Sequence, residues 1–401
     1  MKWLVGISLV IFSLLAYGLY VSQFVITVTD PLRDEPLRDK YYDYKGITHI
    51  HSDRGTGSGS LEEIVAEAKR ANLDFFFVTD VNPPSNYKTF EGYMDNLMVL
   101  QGGRYSYLES QLLYYPSEDY KVLFSGLGHA QTYFTDMITQ ESPQDFLVLA
   151  NPLKGDLSWL QQGASGLSGM EIVNLRRMWR DSWKSSKSNF FLSLFIYPFH
   201  SDFALIRLFL RPDKQLQLWD ELNKQHKTIG MLGNDIAAKA QILGGSTFIR
   251  FPSYYSSFKF ASNHILTKSE LTGNFKKDKE KILKALQSGQ SYMSFDVLGD
   301  PTGFVAEMKD SKGAYLMGSK IKLSSNLELI VHLPKSVTGK VSIEIYKDGQ
   351  AYSSSNGRDT AVKIHLPGSY RVIVKIRSNL PFPDHRTWLD WIYTNPFYVV
   401  E

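Results

Sequence analysis

The spacing of apolar and polar positions divides the chain into an apolar head, a long stretch that alternates strands with helices, and a strand-rich tail. Across residues 3–28 the only strong polar interruptions are Ser and Gln. A membrane crossing takes roughly 20 mainly apolar residues, so the head predicts a transmembrane helix. Residues 46–51 alternate as a short strand. Leu61, Ile64, Val65, Ala68 and Ala71 then form the apolar stripe of a helix, with Ser60 before it and Glu62 and Glu63 in its first turn. Phe75 to Val78 is continuously apolar, the pattern of a strand covered on both faces. These elements predict a βαβ opening with polar groups gathered at strand ends: His49, His51 and Thr79-Asp80.

The alternation continues downstream. Strands are predicted over residues 96–102, 121–129, 146–150, 169–174, 228–232, 262–267 and 291–297, and helices over 212–225 and 278–287, the last ended by Gly289. Residues 189–210 are strongly apolar, but Pro198, His200, Asp202 and Arg207 interrupt them, so two helical segments divided near Pro198 are expected rather than a second crossing. After Asp300 the pattern changes to strands and turns, with Lys347-Asp348-Gly349 as a hairpin signal. This predicts a β-sandwich packed on the preceding domain, with Trp388 and Trp391 sealing the seam. The expected division is a transmembrane signal anchor at 1–28, a linker at 29–45, an α/β domain at 46–298 and a β-sandwich at 299–401.

Composition narrows the function. A formal charge of +3 is too weak to argue for a nucleic-acid surface, and no Arg/Lys stripe with interleaved aromatics occurs, so no nucleic-acid partner is expected. Cysteine is absent, which excludes disulfides and thiolate metal sites but leaves the redox compartment open. Lys2 precedes the apolar head, and Asp30, Arg33, Asp34, Glu35, Arg38, Asp39 and Lys40 follow it. That arrangement suits an uncleaved single-pass anchor with the large domains in the periplasm or outside the cell. A removed signal peptide is the alternative, disfavoured because no A-x-A ending closes the run.

His49 and His51 lie on one face of their strand, the spacing of metal-binding imidazoles, and Asp53 follows where a carboxylate would join them. The loop over 54–60 is mostly Gly, Ser and Thr, residues that permit tight turns and expose backbone N–H groups. The segment resembles the first two motifs of the PHP superfamily, the polymerase and histidinol phosphatase domains. The resemblance implies a distorted (β/α)7 barrel, up to three metal ions and phosphoesterase-type hydrolysis. Where that family reads Thr-Asp-His, this chain has Thr79-Asp80-Val81, and its metal-bridging Glu falls on Arg104, with Glu109 nearby. An arginine there would replace a cation's charge and favour an anion. The family's His-Pro becomes Asn151-Pro152, and its Gly-Ser-Asp-Ala-His becomes Gly233-Asn234-Asp235-Ile236-Ala237, keeping the Asp and losing the His. Glu171 and Asn174 match positions that would support the ligands, with helix capping as the alternative. Residues 284–292 and 391–399 resemble the CehA/McbA-type branch, in which a smaller β domain follows the barrel.

By this match the metal ligands would be His49, His51, Asp53, Glu109 and Asp235. Asp80 and His129 would handle protons, and Arg104, Asn151 and Arg176 would bind a small anionic substrate. One divalent ion of Mn, Zn or Fe is expected in place of three, and no nucleotide or organic cofactor. Two readings stay open: a membrane-tethered PHP-type hydrolase with a reduced metal site, and a degenerate relative that binds an anion, a sugar or a protein without turnover.

Overall fold

A computed structural model describes residues 2–27, 41–81, 90–107, 110–118, 145–153, 167–241, 248–334 and 337–401. It is a mixed α/β structure with several sheets. The helices are α1 (Lys2–Val21), α2 (Leu61–Arg70), α3 (Leu175–Ser185), α4 (Lys187–Ile196), α5 (Ser201–Arg207), α6 (Asp213–Gln225), α7 (Tyr254–Phe260) and α8 (Phe275–Ser288). The first strands are β1 (Tyr42–Ile50), β2 (Phe75–Val78), β3 (Gly92–Met94), β4 (Leu97–Gln101), β5 (Gly103–Tyr107), β6 (Ser110–Tyr115), β7 (Phe146–Ala150), β8 (Gly169–Asn174) and β9 (Ile229–Gly233). They are followed by the short pair β10 (Ala240–Gln241) and β11 (Phe248–Ile249), then β12 (Ser262–Thr267) and β13 (Ser291–Ser294).

The βαβ opening forms as its pattern demands. Ser60 caps α2 by accepting from the Glu63 N–H at 3.3 Å. Ile64, Val65 and Ala68 pack with Phe76 and Val78 of β2 on one side, and Phe75 and Phe77 enter a second apolar cluster with Phe146 and Met231 on the other. Both faces of β2 are therefore covered, which is why the run is apolar without alternation. β2 pairs parallel with β1 and β4, while β12 runs antiparallel to β1.

A second sheet has the order β5-β6-β7-β8-β9, with β7, β8 and β9 parallel. The strands of the expected barrel are thus shared between two sheets, which touch at two isolated parallel bridges, Ile50 with Ile236 and Val81 with Arg104. The His51 N–H donates to the Ile236 carbonyl at 2.8 Å, and the Arg104 N–H to the Asp80 carbonyl at 3.0 Å. These bonds bring the C-terminal ends of β1 and β2 against the end of β9 and the start of β5. Sequence-distant polar residues meet there.

The tail comprises β14 (Val305–Asp310), β15 (Gly313–Leu316), β16 (Lys320–Lys322), β17 (Glu328–His332), β18 (Lys340–Lys347), β19 (Gln350–Ser355), β20 (Asp359–Lys363), β21 (Gly368–Arg377), β22 (Leu389–Thr394) and β23 (Phe397–Val400). Strands β15-β14-β17-β20 make a four-stranded sheet whose Met308, Leu329 and Val331 share one core with Ile343, Val374 and Ile376 of β18 and β21. Between β18 and β19, Asp348 and Gly349 both take positive φ, 50° and 83°, as a two-residue hairpin turn requires.

The boundary expected at 298/299 is crossed by hydrogen bonds. β22 pairs antiparallel with β13, Tyr292 opposite Thr394 and Ser294 opposite Ile392, so a 12-stranded sheet runs from the tail through β13 and β12 to β1. Of the two tryptophans expected at the seam, Trp391 is buried and donates from Nε1 to the Gly299 carbonyl at 3.0 Å. Trp388 is 43% exposed, because it precedes the paired part of β22.

The amino-terminal expectation finds no support: among the described residues no helix is long and apolar enough to cross a membrane. α1 is nonetheless helical over Lys2–Val21, and Trp3, Leu9, Phe12 and Leu19 on it are exposed. It meets the body at its C-terminal end, where Val21 is buried and Gly18 faces Phe199. The apolar stretch after α3 forms α4 and α5, separated around Pro198 as expected.

Candidate metal centre

His49 and His51 sit near the end of β1 and are fully buried, their rings edge-on with centroids 5.0 Å apart. His49 Nδ1 is 2.6 Å from Glu171 Oε1 on β8, a bond that makes Nδ1–H the donor and turns Nε2 inward. Glu171 is fixed in turn: its Oε2 accepts from Asn174 Nδ2 at 2.9 Å and from the Asn151 N–H at 3.2 Å. Asn174 also caps α3, its Oδ1 accepting from the Arg177 N–H at 2.9 Å, so its capping and supporting roles coexist. Gly233 is needed beside this group, since a Cβ there would collide with the Glu171 carboxylate.

Asp235, just past β9, is the hub. Its Oδ1 lies 3.1 Å from His51 Nε2, 3.6 Å from His49 Nε2 and 3.0 Å from Arg104 Nη1. Arg176 Nη1 reaches to 3.6 Å of the same oxygen from α3. Burial works to raise the Asp235 carboxyl, but the pull of His49, the hydrogen bond from His51 and the Arg104 charge together hold it well below the usual carboxylate range. Burial pushes His51 down to about 3 despite that hydrogen bond, with Arg104 and His49 acting in the same direction. The ring is therefore neutral, the form that binds metals.

His49, His51 and Asp235 each offer one ligand atom, and these atoms lie within 4.8 Å of one another. Ligands about 2.1 Å from a shared ion in a tetrahedral set stand about 3.4 Å apart, close to the 3.1 and 3.6 Å that separate Asp235 Oδ1 from His51 and His49 Nε2. His49 Nε2 and His51 Nδ1 are buried without a hydrogen-bond partner, although a buried polar atom normally has one. The donor set fits one divalent ion with two imidazoles and one carboxylate. The Arg104 guanidinium, also buried, stands as a fixed positive charge against the same carboxylate.

Other residues expected at the site are placed differently. Asp53 is exposed in the loop after β1 and is not part of the buried group, because the loop turns outward after Ser52. Asp80 is buried, with Oδ1 accepting from the Ser52 N–H at 2.8 Å, Oδ2 from Ser52 Oγ at 2.5 Å, and His51 Nδ1 3.9 Å away. It holds the loop and backs His51. Asn151 donates from Nδ2 to Gln111 at 2.9 Å, while its Oδ1 is buried without a hydrogen bond. Glu109 and His129 lie outside the described residues.

Sequence reasoning missed Tyr254. Its hydroxyl donates to the His51 carbonyl at 2.7 Å and accepts from the Ser58 and Gly59 N–H groups at 3.3 and 3.2 Å, fastening the small-residue loop to β1. Nothing near Tyr254 in the chain signals this, since its partners lie some two hundred residues earlier.

No protein-family model matches the chain. No curated protein matches it either. Among solved structures it is similar to the crystal structure of a two-domain protein containing a predicted PHP-like metal-dependent phosphoesterase from Bacteroides vulgatus ATCC 8482. Identity is 12%, covering 92% of this chain and 98% of that one, at a TM-score of 0.39. The likeness is distant, and the activity in that description is the neighbour's.

Proposed function

We propose that the chain is a metal-dependent hydrolase of a small anionic ester, with a phosphate ester best matching the charges at the site, and that it works with one divalent ion of Mn, Zn or Fe. The observation that carries this reading is the buried meeting of His49, His51 and Asp235, with His49 Nε2 turned toward Asp235 and left without a hydrogen bond. A bound ion would polarise the ester and lower the pKa of a bound water. The protein's own part follows from the contacts. Glu171 orients His49 through Nδ1–H, and Arg104 keeps Asp235 ionised. Arg176, with its side chain 37% exposed, is placed to meet the anionic group from the open side. Asp80, 3.9 Å from His51 Nδ1, sets a negative charge behind that ring and is the carboxylate nearest to it for proton transfer.

Metal content tests this directly. The full chain prepared with Mn, Zn and Fe supplements should carry about one ion, and His49→Ala with His51→Ala should remove it while the circular dichroism spectrum is kept. A folded wild-type chain without stoichiometric metal would sink the reading.

One observation favours a second reading. Arg104 Nη1 already sits 3.0 Å from Asp235 Oδ1, where it supplies positive charge without any ion. On that reading the site binds an anion without turnover, and phosphate should bind the folded chain with no metal present.

The exposed apolar residues of α1 support association with a membrane, and the single Lys2 before the apolar head is the basis for putting the remaining chain on the extracytoplasmic side. Detergent, and not salt, should then release the protein from the membrane fraction, and a chain starting at Tyr41 should stay in the soluble fraction.

A further inference from the structure

Beside Asp235 a cavity of about 250 Å³ opens to the surface, and its lining is divided by chemistry. Arg176, Arg180 and Lys239 bring positive charge, whereas Trp179, Trp183 and Phe251 make an apolar wall. Arg176, Trp179 and Trp183 stand at helical spacing along one face of α3, so Arg176 is the cation at the Asp235 end and the indoles lead away from it. Trp179 and Phe251 are in ring contact at 6.1 Å. Trp183 is 40% exposed and meets Phe190 and Phe191 edge-on at 5.3 and 5.5 Å. The apolar lining thus continues out of the cavity onto α4, where Phe191 is 58% exposed, and α4 packs against α1.

A fully polar phosphate ester would leave this wall without a partner, and a neutral apolar molecule would leave the cations without one. We infer, building on the hydrolase reading above, that the substrate is an anionic amphiphile: a phosphate-type headgroup at Arg176, on the open side of the Asp235 group, with an alkyl chain lying along Trp179 and Trp183. Hydrolysis would break the bond between phosphorus and the oxygen of the chain alcohol and form one between phosphorus and a water oxygen. The alcohol leaves with the proton that the water gives up.

The test is calorimetric titration of the full chain with methylphosphonate and octylphosphonate, non-hydrolysable probes with the same headgroup, both with chelator and with added Mn. Octylphosphonate should bind at least about ten-fold tighter, through burial of its methylenes. Ala240→Trp, which fills the cavity from its wall, should cut that preference below about three-fold and leave methylphosphonate unchanged, whereas Arg176→Gln should weaken both probes alike. Equal binding of the two probes, binding of neither, or a preference that survives Ala240→Trp would overturn the inference. Competing vesicles of phosphatidylcholine with phosphatidic acid separate the sources: displacement of octylphosphonate by these, and not by phosphatidylcholine alone, assigns the amphiphile to a bilayer, and its absence assigns it to solution. The chelator arm does not depend on metal. A chain that prefers octylphosphonate but holds no ion refutes the hydrolase reading alone, and one that holds an ion without the preference refutes the amphiphile alone.

Discussion

Among the described residues two buried histidine–carboxylate groups stand out, and one of them has ring nitrogens left unpaired. In the first, His49 Nε2 and His51 Nδ1 lack hydrogen bonds and the rings crowd around Asp235. In the second, both ring nitrogens of His264 on β12 are taken, Nδ1 by Asp43 at 2.8 Å and Nε2 by Asp296 at 3.3 Å. Tyr292 stacks on that ring at 4.9 Å and hydrogen-bonds Asp43, while Lys45 pairs with Asp296 at 3.0 Å. Burial would lower His264, but Asp43 and Asp296 outweigh it and push it up to about 10. Burial instead pushes His51 down to about 3. The same residue types make a closed ion pair in one place and an open donor set in the other. Whether each lone pair is already used decides which.

The comparison is broken most severely by Asp235→Asn, which removes the hub carboxylate: metal occupancy should fall to background by elemental analysis, and any hydrolysis should drop by about a thousand-fold or more. His264→Gln should do the opposite, costing about 3 kcal/mol of stability in denaturant melts because Asp43 loses its cation and Asp296 is left with Lys45, with metal content unchanged. If it empties the metal centre as well, the two groups are not independent. Glu171→Gln should weaken metal binding by about 10–100-fold, the usual effect of loosening a ligand's support.

pH gives a smaller and distinct signature. His264 carries its proton more tightly folded than unfolded, where its pKa is about 6.5. Its stabilising contribution is therefore complete below about pH 6.5 and lost as pH rises through about 10. Melting temperature should fall over that window in the wild type, and the slope should flatten in His264→Gln. Asp53→Ala should change stability by no more than about 0.5 kcal/mol and leave metal occupancy intact, because its side chain is exposed outside the cluster.

Much of the open group was legible in the chain. Strand periodicity located His49 and His51 on one face, whereas Asp235 in its Gly-Asn-Asp turn and Glu171 and Asn174 at the end of a strand were located by motif resemblance. Their convergence was not legible, because it depends on the bridges that join two sheets at Ile50 and Val81. Asp53 looked like a ligand by proximity in sequence, yet the loop carries it outward while Asp80 fastens Ser52. The closed group escaped notice because Asp43, His264 and Asp296 are individually unremarkable and meet only when β1, β12 and the turn after β13 assemble. The tail's strands were readable from alternation and from Asp348-Gly349. That β22 would add itself to β13 was not, since strand pairing between distant segments leaves no local mark.

That pairing has a practical corollary for anyone who would cut the protein in two. A chain stopped near Asp300 would strip β13 of its neighbour and present a raw edge of amide and carbonyl groups, along with the apolar side chains that Trp391 now roofs. Such a fragment should self-associate, so the carboxy-terminal hundred residues act as a splint for the half that holds the histidine–carboxylate groups as well as an appendage to it.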